Sequence, residues 1–189
     1  PNKKNELSKA EASFSVFEAS FSIDGFNIGN TTVASPLAST VIAEANFFTA
    51  EANFSDADEG DVIYAGSGND VVSGDGGDDI IFGENGRDLV FGGFGNDKIS
   101  GGNNNDLISG GDNNDTITGD SGDDEIFGDN GADNIQGNTG NDTISGGNDN
   151  DLISGGDNND TNTGDAGDDG ICGDNGADNI QGNTGNDTI

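Results

Sequence analysis

Asp61 opens a line of fifteen aspartates that recurs at every ninth residue to Asp187, without one insertion or deletion. Carboxylates held at a fixed spacing on a repeating backbone can bind hard cations. The chain has no His and one Cys, so its donors are almost all oxygens, a set that favours calcium over zinc or copper. The need for a cation follows from charge. Residues 56–189 carry 31 Asp and Glu against two basic residues, Arg87 and Lys98. Two carboxylates ~5 Å apart repel by roughly 0.8 kcal/mol in water and by several times that near a protein surface. The expectation is a segment that is largely disordered without the ion and folds when it binds.

The elements that position these carboxylates come from the same period. Written in register from Ala65, the nine-residue units read AGSGNDVVS, GDGGDDIIF, GENGRDLVF, GGFGNDKIS and onward to GNTGNDTI. Place six is always Asp, and place eight is Val or Ile in fourteen of fifteen units, with Asn162 the exception. Fixed-period self-similarity marks a solenoid whose units must stack to bury their faces. Gly, Asn and Asp crowd the first six places, which reads as a tight turn using left-handed backbone. Where place four lacks Gly, Asn104, Asn113, Asp149 and Asn158 stand in. The last three places, such as Leu107-Ile108-Ser109, then form a very short strand with its middle residue pointing inward.

The unit G-G-x-G-x-D-x-U-x resembles the RTX calcium-binding nonapeptide family over 134 of 189 residues. The resemblance implies an all-β fold: a right-handed parallel β-roll, a β-solenoid of nonapeptide repeats, with an N-terminal β-rich capping or assembly segment. Successive units lie on opposite sheets, eighteen residues make one coil, and multiple Ca2+ ions sit between stacked turns. The ligands it implies are the place-six carboxylates Asp70, Asp79, Asp88, Asp97, Asp106, Asp115, Asp124, Asp133, Asp142, Asp151, Asp160, Asp169, Asp178 and Asp187. Beside them stand backbone carbonyls of the turn glycines Gly66, Gly68, Gly74, Gly77, Gly83, Gly86, Gly92 and Gly95. Turns two units apart share an ion, so Asp70 pairs with Asp88 and Asp79 with Asp97. The unit from Asp56 to Tyr64 matches less well and reads as a worn edge.

Two other readings of the acidic repeat fail. A solvated disordered tract has no reason to keep one carboxylate and one aliphatic in strict phase. An EF-hand starting at Asp56 would need an acidic or amide fifth residue and a bidentate twelfth, where Gly60 and Ser67 stand. Inside the short period lies a longer one: residues 92–136 and 137–181 match at 37 of 45 places. Five units is an odd number, so equivalent units should fall on opposite sheets. Between the copies Ile117 becomes Asn162, Glu125 becomes Gly170 and Phe127 becomes Cys172. Only Asn162 strikes an inward place, where it either finds a bond or marks the weakest coil. Cys172 faces outward, as neutral drift from Phe or as a thiol for an intermolecular disulfide; one Cys excludes an internal disulfide framework.

The chain divides at residue 55. Residues 1–55 hold seven of eleven Phe, the basic residues Lys3, Lys4 and Lys9, and four copies of Glu-Ala-Ser/Asn-Phe. Alternation at 13–16 and 20–23 reads as strands around a turn at Asp24-Gly25, with a seven-residue helical stripe as the competing reading. A solenoid end needs a cover, and the early repeats carry outward apolar residues, Ile80, Phe82, Leu89, Phe91 and Phe94. Residues 11–55 are therefore expected to cap that end, and the other end either to continue into further sequence or to take a second molecule head to tail. The basic residues are too few for a nucleic-acid patch, which the acidic roll would repel. The longest apolar stretch is too short to span a membrane. Pro1 to Ala10 is not a recognisable signal peptide, and the missing initiator Met suggests processing or a partial chain.

Catalysis is not expected: His is absent, and neither H-E-x-x-H nor G-x-S-x-G occurs. The resemblance implies bacterial export through a type I channel and folding in external calcium. Three functions are consistent with these residues. The first is a secreted, calcium-stiffened structural rod of about seven coils, roughly 35 Å long at ~4.8 Å per coil, built into a surface layer, fibril or sheath. The second is the secretion and folding module of a larger RTX toxin or exoenzyme. The third is an adhesin segment, against which the irregular outward row Ser73, Phe91, Ser109, Phe127, Ser145, Thr163, Gln181 argues.

Overall fold

A computed structural model describes residues 60–189 together with the strand segments 31–32, 40–42 and 49–51. The described chain is an all-β parallel solenoid of about seven turns. Four short strands come first: β1 (Thr31–Thr32), β2 (Thr40–Ile42), β3 (Thr49–Glu51) and β4 (Val62–Tyr64). Twelve six-residue strands follow: β5 (Val71–Gly76), β6 (Ile80–Asn85), β7 (Leu89–Phe94), β8 (Lys98–Asn103), β9 (Leu107–Asp112), β10 (Thr116–Ser121), β11 (Glu125–Asn130), β12 (Asn134–Thr139), β13 (Thr143–Asn148), β14 (Leu152–Asp157), β15 (Thr161–Ala166) and β16 (Gly170–Asn175). The last is β17 (Asn179–Gln181).

Odd strands β1 to β17 form one sheet in order, and even strands β2 to β16 form the other. Each strand pairs in parallel with the strand two units away, so Ile108 lies beside Ile126 and Ile117 beside Ile135. Because the block duplication spans five units, Leu107 in β9 and its equivalent Leu152 in β14 fall on different sheets, as the odd count requires. The three segments before residue 60 join this stack: β2 pairs with β4, and β3 with β5. The strands expected at 13–16 and 20–23, with their turn at Asp24-Gly25, lie outside the described residues.

The core between the two sheets is made of the place-eight aliphatics from Ile63 to Ile171 together with Ala65, with Asn162 the one polar residue at place eight. Outward places seven and nine alternate with them, giving the period-two burial that half-buried strands show. Among the described residues no helix is long and apolar enough to cross a membrane.

The strands correct one expectation. They continue through places one to three of the next unit, so Leu107-Ile108-Ser109 is the first half of a strand that ends at Asp112. The turn is confined to places four to six. Places two and four have positive φ, as at Asp120 (73°) and Asn113 (82°), and these are the places that need Gly, Asn or Asp. Place-one glycines are absent from the positive-φ residues, and their requirement is one of space. A Cβ on Gly92 would sit 2.4 Å from both Asp97 Oδ2 and the Gly110 carbonyl.

Candidate metal centre

The turns at the two long edges of the roll stack directly on one another, and each brings its place-six aspartate inward. One edge carries Asp70, Asp88, Asp106, Asp124, Asp142, Asp160 and Asp178; the other carries Asp61, Asp79, Asp97, Asp115, Asp133, Asp151, Asp169 and Asp187. Those from Asp61 to Asp169 are buried, while Asp178 and Asp187, in the last coil, are half-buried. Asp61, in the unit read as a worn edge, is buried and in register with Asp79.

Within each stack the two oxygens of a carboxylate have different surroundings. Oδ1 accepts the main-chain N–H of the aspartate one coil earlier: Asp70 N–H donates to Asp88 Oδ1 at 2.9 Å and Asp79 N–H to Asp97 Oδ1 at 2.8 Å. This bond fixes each side chain against the neighbouring coil, in the pairs the repeat register implies. Oδ2 of Asp79, Asp88, Asp97, Asp106, Asp115, Asp124, Asp133, Asp142, Asp151, Asp160 and Asp169 is buried with no hydrogen-bond donor. A buried, unpaired carboxylate oxygen is costly, and it recurs here once per turn.

The titration of these groups reflects that cost. Burial raises the Asp79, Asp106, Asp142 and Asp151 carboxyls to about 7 and Asp115 to about 8. Burial also lifts Asp88, Asp97, Asp124 and Asp133 to about 6, and raises Asp160. The bonded N–H pulls each back in part, and neighbouring carboxylates add to the rise for most.

Seven of the eight glycines expected as carbonyl ligands fall into two groups, and Gly66 stands apart at place two. Gly74, Gly83 and Gly92, at place one, lie against the carboxylate of their own turn. The space beside the Gly74 Cα is bounded by Asp79 Oδ2 and the Gly92 carbonyl oxygen, 2.2 and 2.6 Å from where a Cβ would stand. Two oxygens from adjacent coils converge there. Gly68, Gly77, Gly86 and Gly95, at place four, have positive φ and donate N–H bonds to the next coil, as from Gly68 to Asn85 O at 2.8 Å. Place-four carbonyls run along the stack: the Gly77 oxygen lies 1.9 Å from a Cβ built on Gly95. The Gly66 carbonyl already accepts Asn85 N–H at 2.9 Å.

Among the described residues no three His, Cys, Asp or Glu side chains converge on one point. The donor set is instead one carboxylate per turn with main-chain carbonyls around it. It is all oxygen, negatively charged and short of positive partners, which fits a hard divalent cation. The place-six aspartates with the place-one and place-four carbonyls would hold it, and the ion would supply the charge compensation that Oδ2 lacks.

Sequence reasoning missed the outer layer of the turns. Place-five Asn and Asp form a second ladder running in the opposite sense: Asn96 N–H donates to Asp78 Oδ1 and Asn141 N–H to Asp123 Oδ1, both at 2.8 Å. These bonds hold Asp78, Asp123 and Asp168 below the usual carboxylate range, the main-chain donor first and the Asn amide second. The available signal was Asn or Asp at place five in eleven of fifteen units. On the flat faces, place-nine serines bridge coils to place-two aspartates: Ser100 Oγ donates to Asp120 and Ser109 Oγ to Asp129, both at 2.5 Å. A separation of twenty residues hides that pairing from a nine-residue reading.

Two of the differences between the block copies resolve at atomic detail. Asn162 is fully buried; its Nδ2 donates to the Cys172 carbonyl at 3.3 Å, and its Oδ1 has no donor. Cys172 is an exposed free thiol whose Sγ lies 3.1 Å from Asp174 Oδ1.

Comparison with known families gives one match. The model of the RTX calcium-binding nonapeptide repeat, itself four repeat copies long, matches residues 57–90, 91–126, 100–135, 127–161, 136–171 and 173–189. Together these stretches cover 132 of 189 residues. A search of curated proteins finds no match.

Proposed function

The chain belongs to the RTX calcium-binding nonapeptide repeat family, and from that membership we propose that it is a secreted structural protein of the bacterial exterior. Calcium binding is the property the repeats themselves carry. The finer reading is that the roll folds on Ca2+ and self-associates into a surface layer, fibril or sheath, and that the place-six aspartates and turn glycines named above are its ligands. One observation carries this reading. Eleven buried Oδ2 atoms without donors lie in two lines along the stacked turns, with no buried basic side chain among the described residues.

A structure with that much uncompensated buried charge is poised to be set by an external cation. Extracellular modules bind calcium with affinities of ~10⁻⁴ to 10⁻³ M, far above cytosolic levels, so the chain would stay unfolded inside the cell and stiffen outside it. The family's repeats are typical of secreted proteins, and export by the type I route is the pathway consistent with folding after exit. A β-roll of this type is typically non-catalytic. Its outward faces are the working surfaces.

Titration of calcium into the chelated full-length chain, followed by circular dichroism and sedimentation velocity together, tests the reading. Coil-to-β conversion accompanied by growth into large species is the expected result. Folding that stops at a monomer at high protein concentration would overturn the assembly role, and an unchanged β signal in chelator would overturn calcium-coupled folding.

A further inference from the structure

We propose a specific lateral contact between two copies, in which an apolar flank on β7 of one roll receives Leu152 of another. This rests on the reading that calcium-loaded rods self-associate, and it places the contact on the faces rather than at the ends. β7 turns Leu89 and Phe91 outward and ends on Phe94, and Leu107 stands beside Leu89 in the next strand. Phe91 is 41% exposed, Phe94 63% and Leu107 37%. A contiguous exposed apolar patch of this kind on an otherwise polar rod marks an interaction surface.

Charge selects the occupant. Arg87, one of the two basic residues of the repeat block, is exposed in the turn that leads directly into β7, while the other, Lys98, opens β8 on the opposite sheet. Among the described residues no other cation stands on this sheet, so this flank is where a second acidic roll meets attraction rather than repulsion. The second copy offers a matching feature. Leu152 is 59% exposed because its in-register neighbours are Asn134 and Gly170. Its Cδ1 leans to 3.2 Å from where a Cβ on Gly170 would be. Exposed Asp149 lies in the turn before it, exposed Asp157 ends its strand, and exposed Asp168 lies in the turn stacked above, bonded to Asn150. An apolar knob in an acidic rim faces an apolar flank with a cation at its entry.

The two surfaces lie on different sheets and differ from one another, so the contact is heterologous. A copy that uses its flank keeps its knob free, and the contact propagates.

The test uses three full-length proteins in calcium: wild type, the double variant Phe91→Ser with Phe94→Thr, and Leu152→Thr. Each replacement puts in a residue type already present at that place in other units, such as Ser109, Thr139 and Thr143. In sedimentation velocity the wild type should grow with concentration, and each variant alone should associate at least tenfold more weakly. An equimolar mixture of the two variants should form dimers and stop there, since each supplies the one surface the other lacks. Rising salt should weaken the wild-type contact. Wild-type growth that either variant reproduces, or a mixture that stays monomeric, would overturn this contact while leaving self-association standing. A wild type that never associates would instead remove the premise. If the Phe double variant loses thermal stability while wild-type-like growth persists, the flank packs against its own chain, and the second-copy contact is overturned.

Discussion

Replacing Asn162 with Ile should make the calcium-loaded roll more stable, and the structure sets how much. Asn162 interrupts the inward file between Ile144 and Ile180, fully buried, with its Oδ1 lacking any donor. Removing an unsatisfied buried acceptor recovers about 1 to 3 kcal/mol. Burying the aliphatic side chain contributes about 2 kcal/mol, and losing the long Nδ2 bond to the Cys172 carbonyl costs about 0.5 to 1.5. The net gain is about 2 to 4 kcal/mol, roughly a 30- to 700-fold shift in the folding equilibrium of the coils that contain it.

Steric fit is the main risk, and the first copy of the block answers it. There Ile117 occupies the same place, fully buried between Ile99 and Ile135. Its Cδ1 lies 3.0 Å from where a Cβ on Gly110 would be, much as Asn162 Nδ2 lies 2.8 Å from that of Gly155. The cavity is therefore already shaped for Ile. Because a solenoid is close to one-dimensional in its energetics, the effect should be local. Native-state hydrogen exchange should slow across residues 144–180 and stay unchanged before residue 110, and urea melts in saturating calcium should shift upward. A neutral or destabilising result would refute the account of Asn162 as an unsatisfied defect.

Other predictions follow from the carboxylate stacks and the glycines beside them. The buried carboxyls titrate near 6 to 8 in the ion-free roll, against about 3.9 for an unfolded chain. The folded ion-free form thus binds more protons, and its stability is complete below about pH 4 and lost as pH rises through 6 to 8. Ion-stripped protein should show more β signal at pH 4.5 than at pH 8; equal or smaller signal at the lower pH would refute this. Asp115→Asn keeps an oxygen for the Asp97 N–H, the bond that Asp115 Oδ1 accepts at 2.8 Å, while removing the carboxylate whose titration is raised furthest; calorimetry should show fewer ions bound, and the ion-free roll should be more stable than wild type. Gly92→Ala should cost about 2 kcal/mol or more in calcium melts, because the new methyl meets Asp97 Oδ2 and the Gly110 carbonyl at 2.4 Å.

Legibility followed the kind of interaction. Place six and place eight were readable because each is fixed by one requirement that every unit repeats, a carboxylate for the turn and an aliphatic for the core. Strand length was not, because Gly101-Gly102-Asn103 looks like turn material while in β8 it extends the ladder. Parallel pairing on both sides holds those residues extended against their local preference. The place-one glycines were assigned to backbone freedom, whereas Gly92 answers to the carboxylate and carbonyl packed against it from two coils. Nothing local to residues 92–97 carries that information.

The sequence by itself determined the period, the inward file from Ile63 to Ile171, the two carboxylate lines and the oxygen-only chemistry, since these follow from residue types at a fixed spacing. Stacking decided the rest. Only when residues eighteen and twenty apart lie side by side does Asp97 Oδ1 meet Asp79 N–H, Ser100 meet Asp120 and the side-chain Oδ1 of Asn162 find itself without a donor. Hydrogen bonds and desolvation act over a few ångströms in space, and along this chain those ångströms are crossed by winding one full coil.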